Sequence, residues 1–442
     1  MKNQDVRTAG WLIAPALTVA AVIGVLFAKS PAMFLDPRFF GEEATMLLPK
    51  FLYQPFIESL QNRYLGSFLF LTNISVALSA MVPLRYAPAV TTYIALAVQV
   101  VVAYQIGVFI REYRVKVIPA LLLVVGFCLQ WGMYEIALSA TNVQWVTGIS
   151  ALLILVMPAD LARKHALLIS AWLILCGISG VPATILAPAF LLRFWDTNQR
   201  VFLLFCGVLG ACALLQLSFI LNSGAPGRHF YPGLGLLLFP PLLQVFIEPI
   251  VGPETVSLVG TYIQVALPHI GTLGLGIILT AGGLAAAVVF SAWDRSRWRL
   301  IVVLALTGCY VSVIQTLVAL QQPTLMTAAG SRYFVVGVTS VLLLCALGSV
   351  NTDRSKRAIA TGILTVIVLG GISQFAAGTW NSYFMTGPSW SSQVRGCAGQ
   401  PTCTIQLWPN DGISYMKIDN GRVVSSLYPA QLPPIAKAPM QP

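Results

Sequence analysis

Charge is what this sequence has least of. Only 9% of its 442 residues are Asp, Glu, Lys or Arg, against roughly a quarter in soluble domains. With 57% hydrophobic residues and a mean hydropathy of +0.80, a soluble globular domain is excluded. Common catalytic motifs are missing too. There is no P-loop, no GxGxxG at a strand–helix junction, no HExxH and no GxSxG, so ATP-driven and zinc-protease chemistry have no footing. No internal repeat is evident, which leaves an inverted-repeat transporter architecture unsupported. No small-residue cleavage site closely follows the first apolar run, and the run reads as a retained span rather than a removed signal peptide.

What is present is a succession of apolar runs of about 17–23 residues, the mark of a polytopic helical membrane protein. A net charge of +11 in a soluble chain would suggest nucleic acid. Here most Lys and Arg lie in short clusters between apolar runs, which is the positive-inside pattern, and no nucleic acid partner is expected. The clusters are Arg111-Glu112-Tyr113-Arg114-Val115-Lys116, Arg163-Lys164, Arg295/Arg297/Arg299 and Arg354/Lys356/Arg357. Keeping all four inside predicts spans over 11–27, 88–110, 117–136, 143–157, 201–221, 271–293, 301–320, 334–350 and 359–377, plus a hairpin over 166–192. The stretch 67–84 is then a membrane-surface or half-buried segment. The fold class predicted is an all-α polytopic membrane bundle of about eleven transmembrane helices, with outer-face juxtamembrane helices and a small C-terminal periplasmic cap. The N-terminus is inside and the C-terminus outside.

The bundle covers 1–378. It has a first outer loop over 30–87 and a second over 222–270, where Pro240-Pro241 and Pro253 break apolar pieces expected along the surface. The tail, 379–442, is polar and Pro-rich, too short for a large core of its own, and carries alternating pieces such as Thr404-Ile405-Gln406-Leu407-Trp408. Cys397 and Cys403 lie in it as CAGQPTC. No further nearby ligands suggest zinc, so a local disulfide in an oxidising compartment is expected. Cys128, Cys176, Cys206, Cys212, Cys309 and Cys345 lie in apolar runs and read as inert small hydrophobes.

Ionisable groups at a membrane face are expensive and usually functional. They are densest in FLDPRFFGEEATMLLPKFLYQPFIESLQNRYLG, residues 34–66. Glu42-Glu43 can be first-turn acids meeting a helix dipole, or a general base or metal-binding pair. Asp36-Pro37 resembles an N-cap followed by proline at the first helical position, with a catalytic role as the alternative. Arg63 can snorkel to headgroups or clamp a phosphate. Glu135 ends an outward span, and Asn142-Val143-Gln144-Trp145 begins the next, so this turn should face the same cavity. Arg228 and His229 lie in the second outer loop, where a lone histidine is more often solvated than catalytic. Arg332-Tyr333 stands at the outer face against the usual charge bias; a phosphate there would explain it, with a snorkelling anchor as the alternative.

These motifs carry a resemblance. DPRFFGEEA resembles the acidic first-loop motif of GT-C fold glycosyltransferases, in particular bacterial members with a DPxFWxED-like stretch. NRYLGSFLF, SATNVQW, GISGVPA and GSRYF resemble other family turns. The match covers about the first 200 residues well and the rest by topology. Glu42-Glu43 stands where many relatives carry an Asp in the pair, so which carboxylate acts is open. The resemblance implies an enzyme of the bacterial inner membrane that moves a sugar from a polyprenyl-phosphate donor to a glycan, lipid or protein acceptor of the cell envelope. Transfer would be inverting, with Glu42 or Glu43 as base, Asp36 beside them, and Arg63, Arg332 and Tyr333 at the donor phosphate. Glu135, Asn142, Trp145, Arg228 and His229 would line the cavity. No cofactor is certain, and a divalent cation (Mg or Mn) is used by some relatives. The rival readings are a lipid-linked-sugar flippase or transporter, a polysaccharide polymerase, and a non-catalytic assembly subunit.

Overall fold

A helix that is apolar on every side belongs either in a protein core or in lipid. Val335–Gly348 is such a helix, and all its residues are buried. In the computed structural model, which describes residues 2–64, 66–222, 234–266, 271–318, 325–377, 387–409, 414–419 and 421–424, the bundle is built around it. Helices Val117–Leu129, Val143–Leu155, Gly271–Ala292, Trp298–Val318 and Arg354–Ala376 pack against it. The peripheral helices turn large apolar side chains outward, such as Leu167 at 86% and Leu214 at 71% exposure. In water that surface would drive aggregation; in a bilayer it is the solvated surface.

Among the described residues, six helices are long and apolar enough to cross a membrane: Ala87–Glu112, Arg200–Leu221, Gly274–Ala292, Trp298–Leu317, Gly330–Gly348 and Arg354–Ala376. Shorter apolar helices accompany them, among them Ile13–Lys29, Val117–Leu129, Val143–Leu155 and Ala166–Ile178. Helix Phe70–Ala80 has 11 residues, about 16 Å at 1.5 Å per residue, roughly half the hydrocarbon thickness. It does not span by itself, and its Thr72, Asn73, Ser75 and Ser79 are buried in protein.

The second long loop departs from expectation. Leu234–Leu242, Leu243–Ile247 and Glu248–Val251 run on from one another as helix. They do not lie along a surface, but pack against Gly271–Ala292, Trp298–Val318 and Val335–Gly348, with Phe239, Leu243 and Val245 in the core. Pro240 and Pro241 remain inside the helix. The middle piece is a π-turn, the bulge that lets a helix absorb a disturbed hydrogen-bond ladder.

The basic clusters share one end of the bundle. Tyr113 OH donates to Val156 O at 2.5 Å, and Arg297 lies over the Tyr113 ring. Arg299 donates to Asp196 O at 3.4 Å, and Lys356 to Trp293 O at 2.9 Å. The acidic first loop lies at the other end, called the site face below.

There the tail forms a cap. Strands β3 (Thr402–Gln406), β4 (Tyr415–Asp419) and β5 (Arg422–Val424) form an antiparallel sheet in that order, beside helix Trp390–Gly396. Cys397 and Cys403 are joined as a disulfide. The cap is sewn to the first loop: Trp408 N donates to Phe39 O and Gly41 N to Trp408 O, both at 2.8 Å. Phe39, Leu47, Trp390, Ile405, Leu407 and Met416 share one small core.

Candidate functional site

Asp36 does not cap the segment that follows it. It ends helix Pro31–Leu35, and its carboxylate accepts the Trp390 backbone N–H at 3.0 Å and the Ser389 hydroxyl at 3.4 Å. It therefore caps a helix more than 350 residues away, and none of its contacts reaches Glu42 or Glu43. Beside it, the Arg38 guanidinium lies 3.7 Å over the Trp408 ring. Gly387, whose φ is +123°, lies in the left-handed region that favours glycine, and a Cβ there would meet the tip of Arg38 at 2.5 Å. Burial pushes Arg38 down to about 10, with Asp36 opposing. Asp36 and Arg38 thus belong to the seam between loop and cap.

The two adjacent glutamates part company. Glu43 is 1% exposed. Its Oε1 accepts the Thr141 N–H at 3.1 Å and its Oε2 the Phe40 N–H at 3.4 Å, so it pins the first loop to the 137–142 turn. Burial pushes its carboxyl up to about 7, against the Thr141, Thr91 and Phe40 hydrogen bonds. Glu42 is half-buried and faces the other way, accepting the Tyr64 hydroxyl at 3.3 Å.

Arg63 and Tyr64 form strand β1, paired with β2 (Ser67–Phe68). Successive side chains on a strand point to opposite faces. Tyr64 turns toward Glu42, while Arg63 is exposed and lies over the Phe219 ring at 4.7 Å. Arg63 is therefore not brought to Arg332. Burial and then the Glu42 charge push the Tyr64 phenol above its ordinary range, so it stays protonated as the donor to Glu42.

Arg332 is brought to the site by a short 3₁₀ segment, Ala328–Phe334. Its Nη1 donates to Glu135 Oε2 at 2.8 Å, with both side chains about one-third exposed. Gly132 permits this approach, because a Cβ there would lie 2.3 Å from Val335 Cγ1 and 2.8 Å from Ser331 O. Glu135 is pushed up by burial, with Arg332 opposing. Tyr333 sits edge-on to Trp145, centroids 4.8 Å apart. The Trp145 indole N–H is buried with no acceptor among the described residues. Asn142 Nδ2 donates to Glu135 O at 3.0 Å and so shapes this turn. Glu42, Tyr64, Glu135, Arg332, Tyr333 and Trp145 thus form the cluster. Arg228 and His229 lie outside the described residues. No group of three His, Cys, Asp or Glu is placed to hold a metal ion, again among the described residues.

Glu248 is the residue the motif reading passed over. It is buried, with Ser331 and Gln244 against it. A signal existed: it is the first acid after Asp196, inside an apolar run, and such acids are rarely idle. Below this end of the bundle lies an apolar cavity of about 220 Å³, lined by Leu238, Val245, Ala305, Gly308, Gly337 and Leu344 among others. Its lining includes Val245, one residue after Gln244, and Gly337, on the helix that follows Arg332.

The Glu43 shift gives a pH test. Its folded pKa, about 7, lies above the 4.5 of an ordinary carboxyl, so the folded state holds the proton more tightly. Its stabilising contribution is complete below about pH 4.5, declines as pH rises, and is gone above about pH 7, an effect on the order of 3 kcal/mol. The Tm of the detergent-purified protein is expected to fall across that window, and Glu43→Gln to flatten the slope. An unchanged slope in the variant would assign it to another group.

No protein-family model matches this chain, and neither a curated protein nor a solved structure matches it. What the fold defines is a class: a mostly helical, multi-pass membrane protein with an acid–arginine cluster at one face and a disulfide-bearing cap over it.

Proposed function

We propose that the protein is a GT-C-like glycosyltransferase of the bacterial inner membrane. It moves a sugar from a polyprenyl-phosphate donor to a cell-envelope acceptor at the outer face, with inversion. About eleven crossings, an inner N-terminus and an outer C-terminus belong to the same reading. The observation that carries it is one juxtaposition: a half-buried carboxylate, Glu42, and a partly open guanidinium, Arg332, meet around Tyr64 at one face, and the helix that follows Arg332 lines an apolar cavity from Gly337 to Leu344. An amphiphile with an anionic head fits that arrangement. Its phosphate meets Arg332, and its chain enters the cavity between Leu238 and Gly337. Glu42 takes the proton of the acceptor hydroxyl as it attacks the anomeric carbon, and the donor phosphate leaves toward Arg332. Tyr64 orients Glu42. The buried Trp145 N–H supplies a donor to a sugar hydroxyl that closes on it.

The rival flippase reading draws on Glu248 and the proline-containing helix around it, because a buried acid on an interrupted helix is a transporter feature. One experiment separates them: purified protein in vesicles is given a synthetic polyprenyl-phosphate sugar and a mixture of envelope acceptors. Acceptor-dependent release of polyprenyl phosphate supports the transferase. Sidedness exchange of intact donor without release supports the flippase.

A further inference from the structure

Ser331 precedes Arg332, and its hydroxyl has more acceptors than protons. Ser331 Oγ stands 2.5 Å from Glu248 Oε1, 3.1 Å from Gln244 Oε1 and 2.8 Å from Ala328 O. The orientation of the Gln244 amide is fixed independently, since its Nε2 donates to Leu325 O at 2.8 Å and Thr327 O at 2.9 Å. Its oxygen is therefore the end that faces Ser331, and it brings no proton. A serine hydroxyl carries one proton for three acceptors. Two of the three contacts therefore have no proton from the serine, and the only other carrier in the group is the Glu248 carboxyl.

The surroundings agree. Glu248 is 3% exposed and joins no ion pair among the described residues; Arg332, next to its partner Ser331, is engaged by Glu135. A lone buried carboxylate is costly, and neutralisation is the usual resolution. We propose that Glu248 is a protonated carboxylic acid that donates to Ser331, and that with Gln244 it locks the 325–334 segment so that Arg332 is held toward Glu135 and the cleft. Ser331 in turn donates its hydroxyl hydrogen bond to Ala328 O. Glu248 is thus a positioning residue acting through Ser331 on Arg332. Its neutrality has a second consequence. An ionised Glu248 would add negative charge beside Glu135 and Arg332, where an anionic head must enter.

The inference deepens the proposed function, but its test does not depend on it. Four detergent-purified proteins are compared: wild type, Glu248→Gln, Glu248→Ala and Ser331→Ala. The first readout is infrared, where a protonated carboxyl shows a carbonyl stretch that a carboxylate lacks. One such band is expected to vanish in Glu248→Gln. The second is amide hydrogen exchange over 325–334. An amide can still donate to Ser331, so Glu248→Gln should stay within about twofold of wild type, whereas Glu248→Ala and Ser331→Ala should exchange about tenfold faster, the loss of one buried hydrogen bond. If Glu248→Ala does not fold, Ser331→Ala carries the comparison. No lost infrared band, or exchange in Glu248→Gln as fast as in the deletion variants, would overturn the proposal. Neither readout uses a sugar donor, so a negative transfer assay leaves this result standing.

Discussion

Glu42→Gln is expected to lower sugar transfer by about 10²–10⁴-fold, the range for loss of a general base, with the fold retained. The argument is geometric before it is electrostatic. Glu43 is sealed in protein, and both its oxygens accept backbone N–H groups. No acceptor hydroxyl can reach it without unpinning the 137–142 turn. Glu42 is half-buried and faces the cleft, with the phenol of Tyr64 as its polar side-chain partner. Glutamine keeps that partner, because its amide oxygen can accept the same hydroxyl. It cannot take a proton. The loss should therefore fall on kcat rather than on donor KM. Tyr64→Phe should cost about tenfold, because it frees the base to rotate without removing it. Acceptor-saturated initial rates check both. Near-normal kcat in Glu42→Gln would remove the base from this position and leave Glu135 as the cleft carboxylate to test.

Arg332→Ala is expected to have the second largest effect, weakening donor use by about 10–100-fold, the worth of one charge-assisted contact of about 1.5–3 kcal/mol. Leaving-group charge builds in the transition state, so kcat should fall together with kcat/KM. The substitution also strands Glu135, whose carboxyl is already pushed up by burial. A loss of stability would confuse the reading, and Arg332→Ala/Glu135→Gln separates the two effects. The double variant should regain thermal stability, since no carboxylate is left unpaired, and should not regain donor use. Arg332→Lys should rescue partly, because an ammonium restores charge without the paired geometry. Arg63→Ala should change donor kinetics little, since Arg63 lies over Phe219 on the opposite face of its strand. If Arg332→Ala alters only acceptor KM, the arginine belongs to the acceptor site.

The chain's own residues determined a good deal. Long apolar runs with charge only at their ends can satisfy their backbone in lipid only as helices, so the helical membrane class follows from composition alone. The positions of Glu42, Glu135, Asn142, Trp145 and Arg332 at loop ends were legible for the same reason. An ionisable group in a low-dielectric surrounding needs a purpose or a partner. The close spacing of Cys397 and Cys403 in a polar tail made their pairing legible too.

Tertiary structure decided what those signals could not. Adjacent residues on a strand diverge by half a turn, so Arg63 and Tyr64 were indistinguishable until β1 was oriented. It was Tyr64 that faced the cluster. Glu42 and Glu43 are likewise neighbours in sequence, and only the approach of Thr141, 98 residues away, shows which one is sealed. Asp36 reads as a local cap because caps are usually local, yet its partner is Trp390 N, across a contact that no pattern within the loop encodes. Pro240-Pro241 reads as a break, but the neighbouring helices and a π-turn hold the segment in the core. That placement delivers Glu248 to Ser331, and Ser331 to Arg332's segment. Burial, strand facing and long-range pairing are properties of the packed chain, because each depends on which distant surface arrives, and local sequence does not specify that.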